Sequence, residues 1–98
     1  MKSIYTTEEF DVWFGALRDK QAARRIQARI DRAEEGNFGD SKPVGEGVSE
    51  MRIHYGPGFR VYFTQHGLEL VILLAGGDKS TQAKDIQSAL SLAQQLKE

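Results

Sequence analysis

Two short segments in the second half of the chain carry arginine, histidine and tyrosine at alternating positions. Arg52 and His54 lie two residues apart in the first segment, and Arg60 and Tyr62 lie two residues apart in the second. Because alternate residues of a strand share one face, these side chains are expected together on one face of a hairpin. Arginine can bind two phosphate oxygens at once, and histidine or tyrosine can transfer protons. The pattern therefore suits phosphodiester chemistry, and Lys79 could add a positive charge to the same surface.

The same residue types also occur in ordinary pairs between strands. Glu50 lies two residues before Arg52, so it could pair with Arg52 or Arg60, and Tyr62 could stack under an arginine. Pairs of this kind contribute about 0.2–1 kcal/mol each. The residues alone therefore leave a purely structural role open for this face.

Cysteine and histidine usage limits the other chemistry that the chain can perform. There are no cysteines and two histidines, which excludes disulfides, thiolate zinc sites and cysteine nucleophiles and disfavours an imidazole-rich metal centre. We therefore expect neither a metal nor another cofactor. His66 precedes a glycine in a predicted turn and is expected to be solvent-exposed. His54 is the candidate for proton transfer because histidine exchanges protons near neutral pH.

The net charge of −1 argues against a protein that coats nucleic acid through its overall charge. Positive charge is nevertheless concentrated between Arg18 and Arg32, a segment that contains six basic residues and two acidic ones. This stretch contains Arg24, Arg25, Arg29 and Arg32. It could be a solvated helix surface whose long side chains cover the edge of the core, or it could bind phosphates directly.

The first half of the chain is predicted to form two consecutive helices after a short edge strand at Lys2 to Tyr5. Thr6 and Glu9 have the spacing of a capping box, which marks a helix start. The first apolar stripe consists of Phe10, Trp13, Phe14 and Leu17, and the second of Ala22 or Ala23, Ile26, Ile30 and Ala33. Trp13 should be largely buried between helices and sheet. Gly36 is suited to end the second helix.

The second half is predicted to form three antiparallel strands and a helix. Residues 37–47 lack any periodicity and are rich in glycine, so we expect a surface loop there. The strands are expected at Val48 to His54, Phe59 to Thr64 and Leu68 to Ala75, with Gly76 and Gly77 ending the last one. The final helix would bury Ala83, Ile86, Leu90 and Ala93.

These elements predict an α+β fold in which the helices pack on one face of the sheet. The 98 residues are enough for a single domain, 1–98, with one core and no deep cavity, so any site should be an open surface. Neither a leader segment nor a membrane span is evident, and we expect a cytoplasmic protein that does not interact with membranes.

Several sequence blocks carry a family resemblance: Glu50 to Ile53, Gly56 to Phe63, Leu73 to Gln82 and Lys84 to Ile86. Together they resemble the HigB-type addiction-module killer proteins of the RelE/ParE toxin superfamily, over nearly the whole chain. The resemblance implies a RelE/ParE-like fold and a cytoplasmic toxin of a bacterial type II toxin-antitoxin system. It also implies a cognate antitoxin, usually a small helix-turn-helix protein from the same operon.

The resemblance favours messenger RNA cleavage in the ribosomal A site, as in RelE and HigB members, which makes the ribosome and mRNA partners. It implies that Arg60 lies at the scissile phosphate, that Arg52 is on the strand carrying basic site residues, and that Lys79 assists. The RelE-type paired lysines and a catalytic tyrosine or histidine on the last helix are absent. His54 or Tyr62 would then transfer the proton. Candidate RNA-binding residues are Arg24, Arg25, Arg29, Arg32 and Lys84.

Two other functions remain open from the sequence. ParE members of the superfamily inhibit DNA gyrase without being nucleases, and in that case the arginines of the second helix would contact protein. A decayed module would retain only antitoxin binding. Arg52 and Arg60 can share a face only if the residue numbers of directly paired positions on the two strands add up to an even number. This requires a hairpin loop of odd length across Tyr55 to Gly58 or its neighbours.

Overall fold

A five-stranded mixed sheet forms the centre of the protein in the computed structural model, which describes residues 1–97. The strands are β1 (Ser3–Thr6), β2 (Ser41–Gly45), β3 (Val48–Ile53), β4 (Phe59–His66) and β5 (Leu70–Asp78). The helices are α1 (Glu8–Gly15), α2 (Lys20–Glu34) and α3 (Gln82–Lys97), with a short 3-10 turn at Lys79–Thr81 before α3. The strand order is β1-β5-β4-β3-β2, and only the β1–β5 pair is parallel. The predicted α+β class is confirmed.

Helices cover both faces of this sheet, so the prediction that they pack on one face is wrong. On one face, α1 and α2 bury Phe10 and Ile26 against Met51 and Val61. On the other, α3 packs its alanines against a second cluster that includes Tyr62 and Leu74. The physical reason lies in β5, whose consecutive residues Leu73 and Leu74 point to opposite faces and are both fully buried. An uninterrupted apolar strand needs a cover on each side.

Strand β2 lies within the segment that the sequence predicts to be a loop. It pairs with β3 at the edge of the sheet, with Ser41 opposite Met51 and a bulge between Pro43 and Gly45. Proline lacks an amide hydrogen and is tolerated on an edge strand, whereas glycine weakens the usual strand pattern. These two residues remove the alternating pattern by which the strand could be predicted, although the backbone pairs with β3 on both sides of the bulge. The loop therefore ends at residue 40.

The glycine pair at the end of β5 is inside the strand, which corrects the prediction that Gly76 and Gly77 end it. Neither glycine has room for a side chain. A Cβ at Gly76 would collide with the Trp13 ring, and a Cβ at Gly77 would collide with the Asp85 carboxylate. Trp13 packs against the core and lies across Gly76 with most of its surface buried, so its predicted place between the helices and the sheet is confirmed. The glycines thus let α1 and α3 approach β5 from opposite sides.

The helix starts and ends differ only slightly from prediction. Thr7, not Thr6, caps α1: its Oγ1 accepts from the Phe10 amide at 3.0 Å and donates to the Leu74 carbonyl at 2.6 Å. The predicted stripe of α2 is confirmed, with Ala22, Ile26, Ile30 and Ala33 all buried. Gly36 follows α2 with a φ of +90°, the conformation expected of a residue that ends a helix. In α3, Ala89 and Ala93 are buried, but the predicted Ala83 is exposed.

Candidate functional site

The hairpin of β3 and β4 brings Arg52 and Arg60 together. They are direct partners across the two strands, and five residues, 54–58, connect Ile53 to its partner Phe59. The loop has the odd length that a shared face requires, so this prediction is confirmed. Arg52, His54, Arg60 and Lys79 line one open concavity of about 410 Å³, with loop residues 55–58 forming the rest of its wall. We call it the basic concavity.

Glycines in the connecting loop shape this concavity. Gly58 has a φ of +81°, and a Cβ there would lie 3.6 Å from both Arg60 Nη1 and Lys79 Cβ. Its carbonyl accepts a hydrogen bond from Arg60 Nη1 at 3.1 Å. Gly58 therefore reverses the chain at a point where Arg60 and Lys79 both come close. A residue with a side chain would be strained by the backbone conformation alone.

Beneath the basic concavity lies Glu50, whose side chain has no exposed surface. Its Oε2 is 3.5 Å from Arg60 Nε and 4.0 Å from Arg52 Nε. Its Oε1 accepts a hydrogen bond of 3.3 Å from Gln82 Nε2, at the start of α3. The sequence predicted that Glu50 could pair with either arginine, and the structure places its carboxylate next to both. The purely structural pairing and the shared basic surface therefore exist together.

Asp40 contacts the basic concavity from the loop before β2. Its Oδ1 accepts from Arg52 Nη2 at 2.8 Å, and its Oδ2 is 2.5 Å from His54 Nε2. The hydrogen bonds from His54 and then Arg52 lower the pKa of the Asp40 carboxyl below its usual range. Sequence reasoning missed Asp40, since it lies 12 and 14 residues from its partners. Its position becomes apparent only once β2 is paired with β3.

Arg29 holds the Asp40 segment in place and is not a free surface cation. Its guanidinium donates to the carbonyls of Arg52 at 2.5 Å, Phe38 at 2.9 Å and Asp40 at 3.3 Å. Burial is the main cause that lowers the Arg29 pKa from its usual value. Arg29 therefore has a structural role, because its Nη donors bind the backbone of the protein itself, and it also lines a second concavity next to His54. Its RNA-binding role stays a prediction.

The other basic residues of α2 differ in their surroundings. The Arg25 guanidinium lies 4.7 Å from the centre of the Tyr55 ring, whose hydroxyl donates to Asp19 at 3.1 Å. Arg25 and Arg32 line the second concavity as well. His54 lines both this concavity and the basic concavity. The α2 surface is therefore continuous with the hairpin site. Arg24 and Lys84 are exposed and lie outside both concavities.

Tyr62 is fully buried, so the expectation that it shares a solvated face with Arg60 is wrong. It does point to the side of the sheet predicted for it, but α3 covers that part of the face. Burial, and then the negative charges of Glu50 and Asp85, raise the pKa of Tyr62 to about 12. A hydroxyl in this position neither reaches the basic concavity nor ionises near neutral pH.

Two further observations concern residues outside the site. His66 is exposed at the end of β4, as predicted. Over residues 1–97, no helix has both the length and the apolar character needed to cross a bilayer. Within the same range, no three side chains of histidine, cysteine, aspartate or glutamate come together in a way that could hold a metal ion.

Comparison with known proteins identifies the family. The family model described as Phage derived protein Gp49-like (DUF891) matches residues 12–98. A protein of Haemophilus influenzae (strain ATCC 51907 / DSM 11121 / KW20 / Rd), described as an uncharacterized protein, is 53% identical over 93 residues, which cover 95% of this chain and 94% of the relative. No solved structure matches the chain significantly. The chain therefore belongs to the phage-derived Gp49-like family, a toxin-like family related to RelE/ParE-type addiction modules.

Proposed function

We propose that this protein is a HigB-type toxin that cleaves messenger RNA on the ribosome without a metal ion, and that a cognate antitoxin inhibits it. The observation that carries the proposal is the basic concavity, where Arg52, His54, Arg60 and Lys79 converge on one open surface. Family membership supports a toxin and hence an antitoxin partner. The convergence of four basic side chains supports a phosphodiester as the target.

The reaction is attack of a ribose 2′-oxygen on the adjacent phosphorus, which breaks the bond to the 5′-oxygen of the next nucleotide. The proton of the 2′-hydroxyl passes to His54, and the protonated His54 then gives a proton to the departing 5′-oxygen, leaving a 2′,3′-cyclic phosphate and a 5′-hydroxyl. His54 Nε2 faces Asp40, which leaves Nδ1 as the free ring nitrogen. The side chain is 76% exposed, so an RNA strand can reach it.

Negative charge accumulates on the phosphoryl oxygens during this attack. Arg52 and Arg60 stabilise that charge, and Lys79 adds a further positive charge from the start of the 3-10 turn. Donors that are already oriented stabilise a transition state most, because they need no reorganisation during the reaction. Arg25 and Arg32, which line the adjoining concavity, extend the basic surface along α2 towards ribosomal RNA.

A ParE-type function, inhibition of DNA gyrase without cleavage, is the second candidate. One observation favours it: Arg52 and Arg60 each lie beside a carboxylate of the chain itself, as in an ordinary structural pair. In that case the exposed arginines of α2 would form the contact surface with gyrase. A decayed module that binds only its antitoxin would neither cleave messenger RNA nor inhibit gyrase.

Cell-free translation separates these functions. Purified protein should stop translation of a defined message, and primer extension should map cuts that require the ribosome. We expect His54→Ala to slow cleavage by about 10²-fold or more and Lys79→Ala to slow it as well. Both side chains are exposed, so truncation should leave folding intact. Lys42→Ala, an exposed cation on β2, is the control and should cleave like the unaltered protein.

Supercoiling of plasmid DNA by gyrase is measured in parallel. Blocked supercoiling together with an uncut message would replace the nuclease proposal by the ParE-type one. Activity in neither assay would indicate the decayed module. Full cleavage by His54→Ala would remove histidine from the proposed mechanism while leaving ribonuclease activity itself in place.

A further inference from the structure

Glu50 is the one charged residue among residues 1–97 that is completely buried. Burial of an ionised carboxylate is costly unless nearby cations and hydrogen bonds compensate it. The compensation here is the positive charge of Arg60 and Arg52, whose Nε atoms lie 3.5 and 4.0 Å from Oε2 without a hydrogen bond to it, together with the hydrogen bond that Gln82 donates to Oε1. Both arginines belong to the basic concavity, so the buried charge is tied directly to the candidate site.

The strand register explains why one carboxylate reaches two arginines. Arg52 lies two residues after Glu50 on the same face of β3, and Arg60 is the direct partner of Arg52 on β4. The carboxylate oxygen Oε2 therefore approaches both guanidinium groups at their Nε edge, from inside the protein. The Nη groups point away from it: Arg60 Nη1 contacts the Gly58 carbonyl, and Arg52 Nη2 contacts Asp40.

We propose that Glu50 is a positioning residue, which holds the Nε edges of Arg52 and Arg60 from below so that their Nη groups face a phosphate in the basic concavity. This inference rests on the proposed phosphodiester-cleaving function. Each arginine side chain has several rotatable bonds, and ordering them before the ligand arrives removes an entropic cost from binding. A phosphate would then meet two oriented guanidinium groups rather than two mobile ones.

Positioning and charge balance predict opposite effects on anion binding when the Glu50 charge is removed. Glu50→Gln keeps the size of the side chain and removes its negative charge. If Glu50 only reduced the positive potential, this variant would bind phosphate more tightly, because opposing charge has been removed. If Glu50 orients the arginines, the variant should bind phosphate more weakly. The sign of the change therefore distinguishes positioning from neutralisation.

The experiment measures inorganic phosphate binding by the full chain, using the NMR signals of the arginine Nε–H groups. In the unaltered protein, the signals of Arg52 and Arg60 should be sharp and protected from exchange, whereas those of the exposed Arg18 and Arg24 should be broadened by solvent. Phosphate should shift the Arg52 and Arg60 signals. In Glu50→Gln these two signals should broaden, and phosphate affinity should fall by about tenfold.

Glu69→Gln is the matched control, since Glu69 is an exposed glutamate outside the site, and it should bind phosphate like the unaltered protein. Glu50→Asp keeps the charge but shortens the side chain, and positioning predicts that it also weakens phosphate binding. It replaces Glu50→Gln if that variant does not fold. Unchanged or tighter binding by the folded Glu50 variant, or exchange-broadened Arg52 and Arg60 signals in the unaltered protein, would overturn the inference.

Messenger RNA cleavage is measured separately, so the two proposals can fail independently. If the unaltered protein does not cut RNA but Glu50→Gln loses phosphate affinity as expected, the nuclease function fails and the positioning role stands. If the unaltered protein cuts RNA and Glu50→Gln retains full phosphate affinity, the nuclease stands and the positioning role is refuted. In an active enzyme, Glu50→Gln should lower kcat while ribosome binding remains unchanged.

Discussion

Removal of the Arg60 side chain should destabilise the protein strongly, although a residue on a solvated strand face could usually be truncated at little cost. The Arg60 side chain is only 13% exposed, and its Nε is the closest cationic nitrogen to the buried Glu50 carboxylate. Breaking a buried ion pair by removing one partner costs about 3–5 kcal/mol. Arg52 and Gln82 still face Glu50 in the variant, so we expect Arg60→Ala to cost about 3 kcal/mol, at the lower end of that range.

A loss of about 3 kcal/mol is a large part of the 5–15 kcal/mol that stabilise a typical domain, and it should lower Tm by about 12 °C or more. Urea unfolding followed by the fluorescence of Trp13 measures the free energy of unfolding. The double variant Glu50→Gln/Arg60→Ala contains no buried charge and should be more stable than Arg60→Ala alone by at least about 1 kcal/mol. Arg24→Ala, which removes an exposed arginine, serves as the control.

Two results would refute this reasoning. Arg60→Ala could unfold at the same urea concentration as the unaltered protein, or the effects of the two substitutions could simply add. Either result would mean that Arg60 does not compensate the buried charge of Glu50. The prediction also affects toxicity assays: loss of growth arrest in Arg60→Ala can be assigned to chemistry only if the variant is shown to be folded. His54→Ala and Lys79→Ala avoid this difficulty because their side chains are exposed.

Three further predictions follow from the packing and the charges. Tyr62 should ionise near pH 12, which absorbance at alkaline pH measures. Because burial raises its pKa, the free energy of unfolding should fall as the pH rises from about 10 to 12. Tyr62→Phe should remove the part of this fall that Tyr62 causes. Gly76→Ala should cost about 1–3 kcal/mol in urea unfolding because the added methyl group meets Trp13, whereas Gly15→Ala, at an open position in α1, should be neutral or stabilising. Asp40→Asn should lower stability at pH 7, and its difference from the unaltered protein should shrink as the pH falls through the lowered pKa of Asp40; a constant difference down to pH 2 would contradict the assigned pairing.

The shared face of Arg52 and Arg60 could be predicted from sequence because it depends only on local rules. Alternation fixes the face of each residue along its own strand, and the length of the loop fixes the register between the strands. The helices α1 and α2 were also predictable, since their apolar residues recur at helical spacing, over about two turns in α1 and about four in α2. These features need no knowledge of how distant segments meet.

The contributions of Asp40 and Glu50 could not be predicted in the same way. Asp40 reaches the site only because β2 pairs with β3, and Pro43 and Gly45 remove the alternating pattern by which β2 could be predicted. Glu50 alternates with apolar residues along β3, a pattern that predicts a solvent-exposed position. The start of α3 covers this half of the sheet, however, and Glu50 is buried there. The same cover buries Tyr62. Long-range packing therefore decides which polar residues of one strand face remain accessible.

The carboxylates of Asp40 and Glu50 both pair with arginines of the basic concavity, but they differ in accessibility. This difference explains how a protein of net charge −1 can offer a basic surface to an anion. The Asp40 side chain is 38% exposed and lies on a loop, so a phosphate can compete with it for Arg52 and His54. Glu50 has no exposed surface and approaches the arginines from the side opposite to solvent, so a ligand in the concavity cannot displace it. Glu50 can therefore continue to hold both guanidinium groups while a phosphate occupies the contacts that Asp40 makes in the free protein.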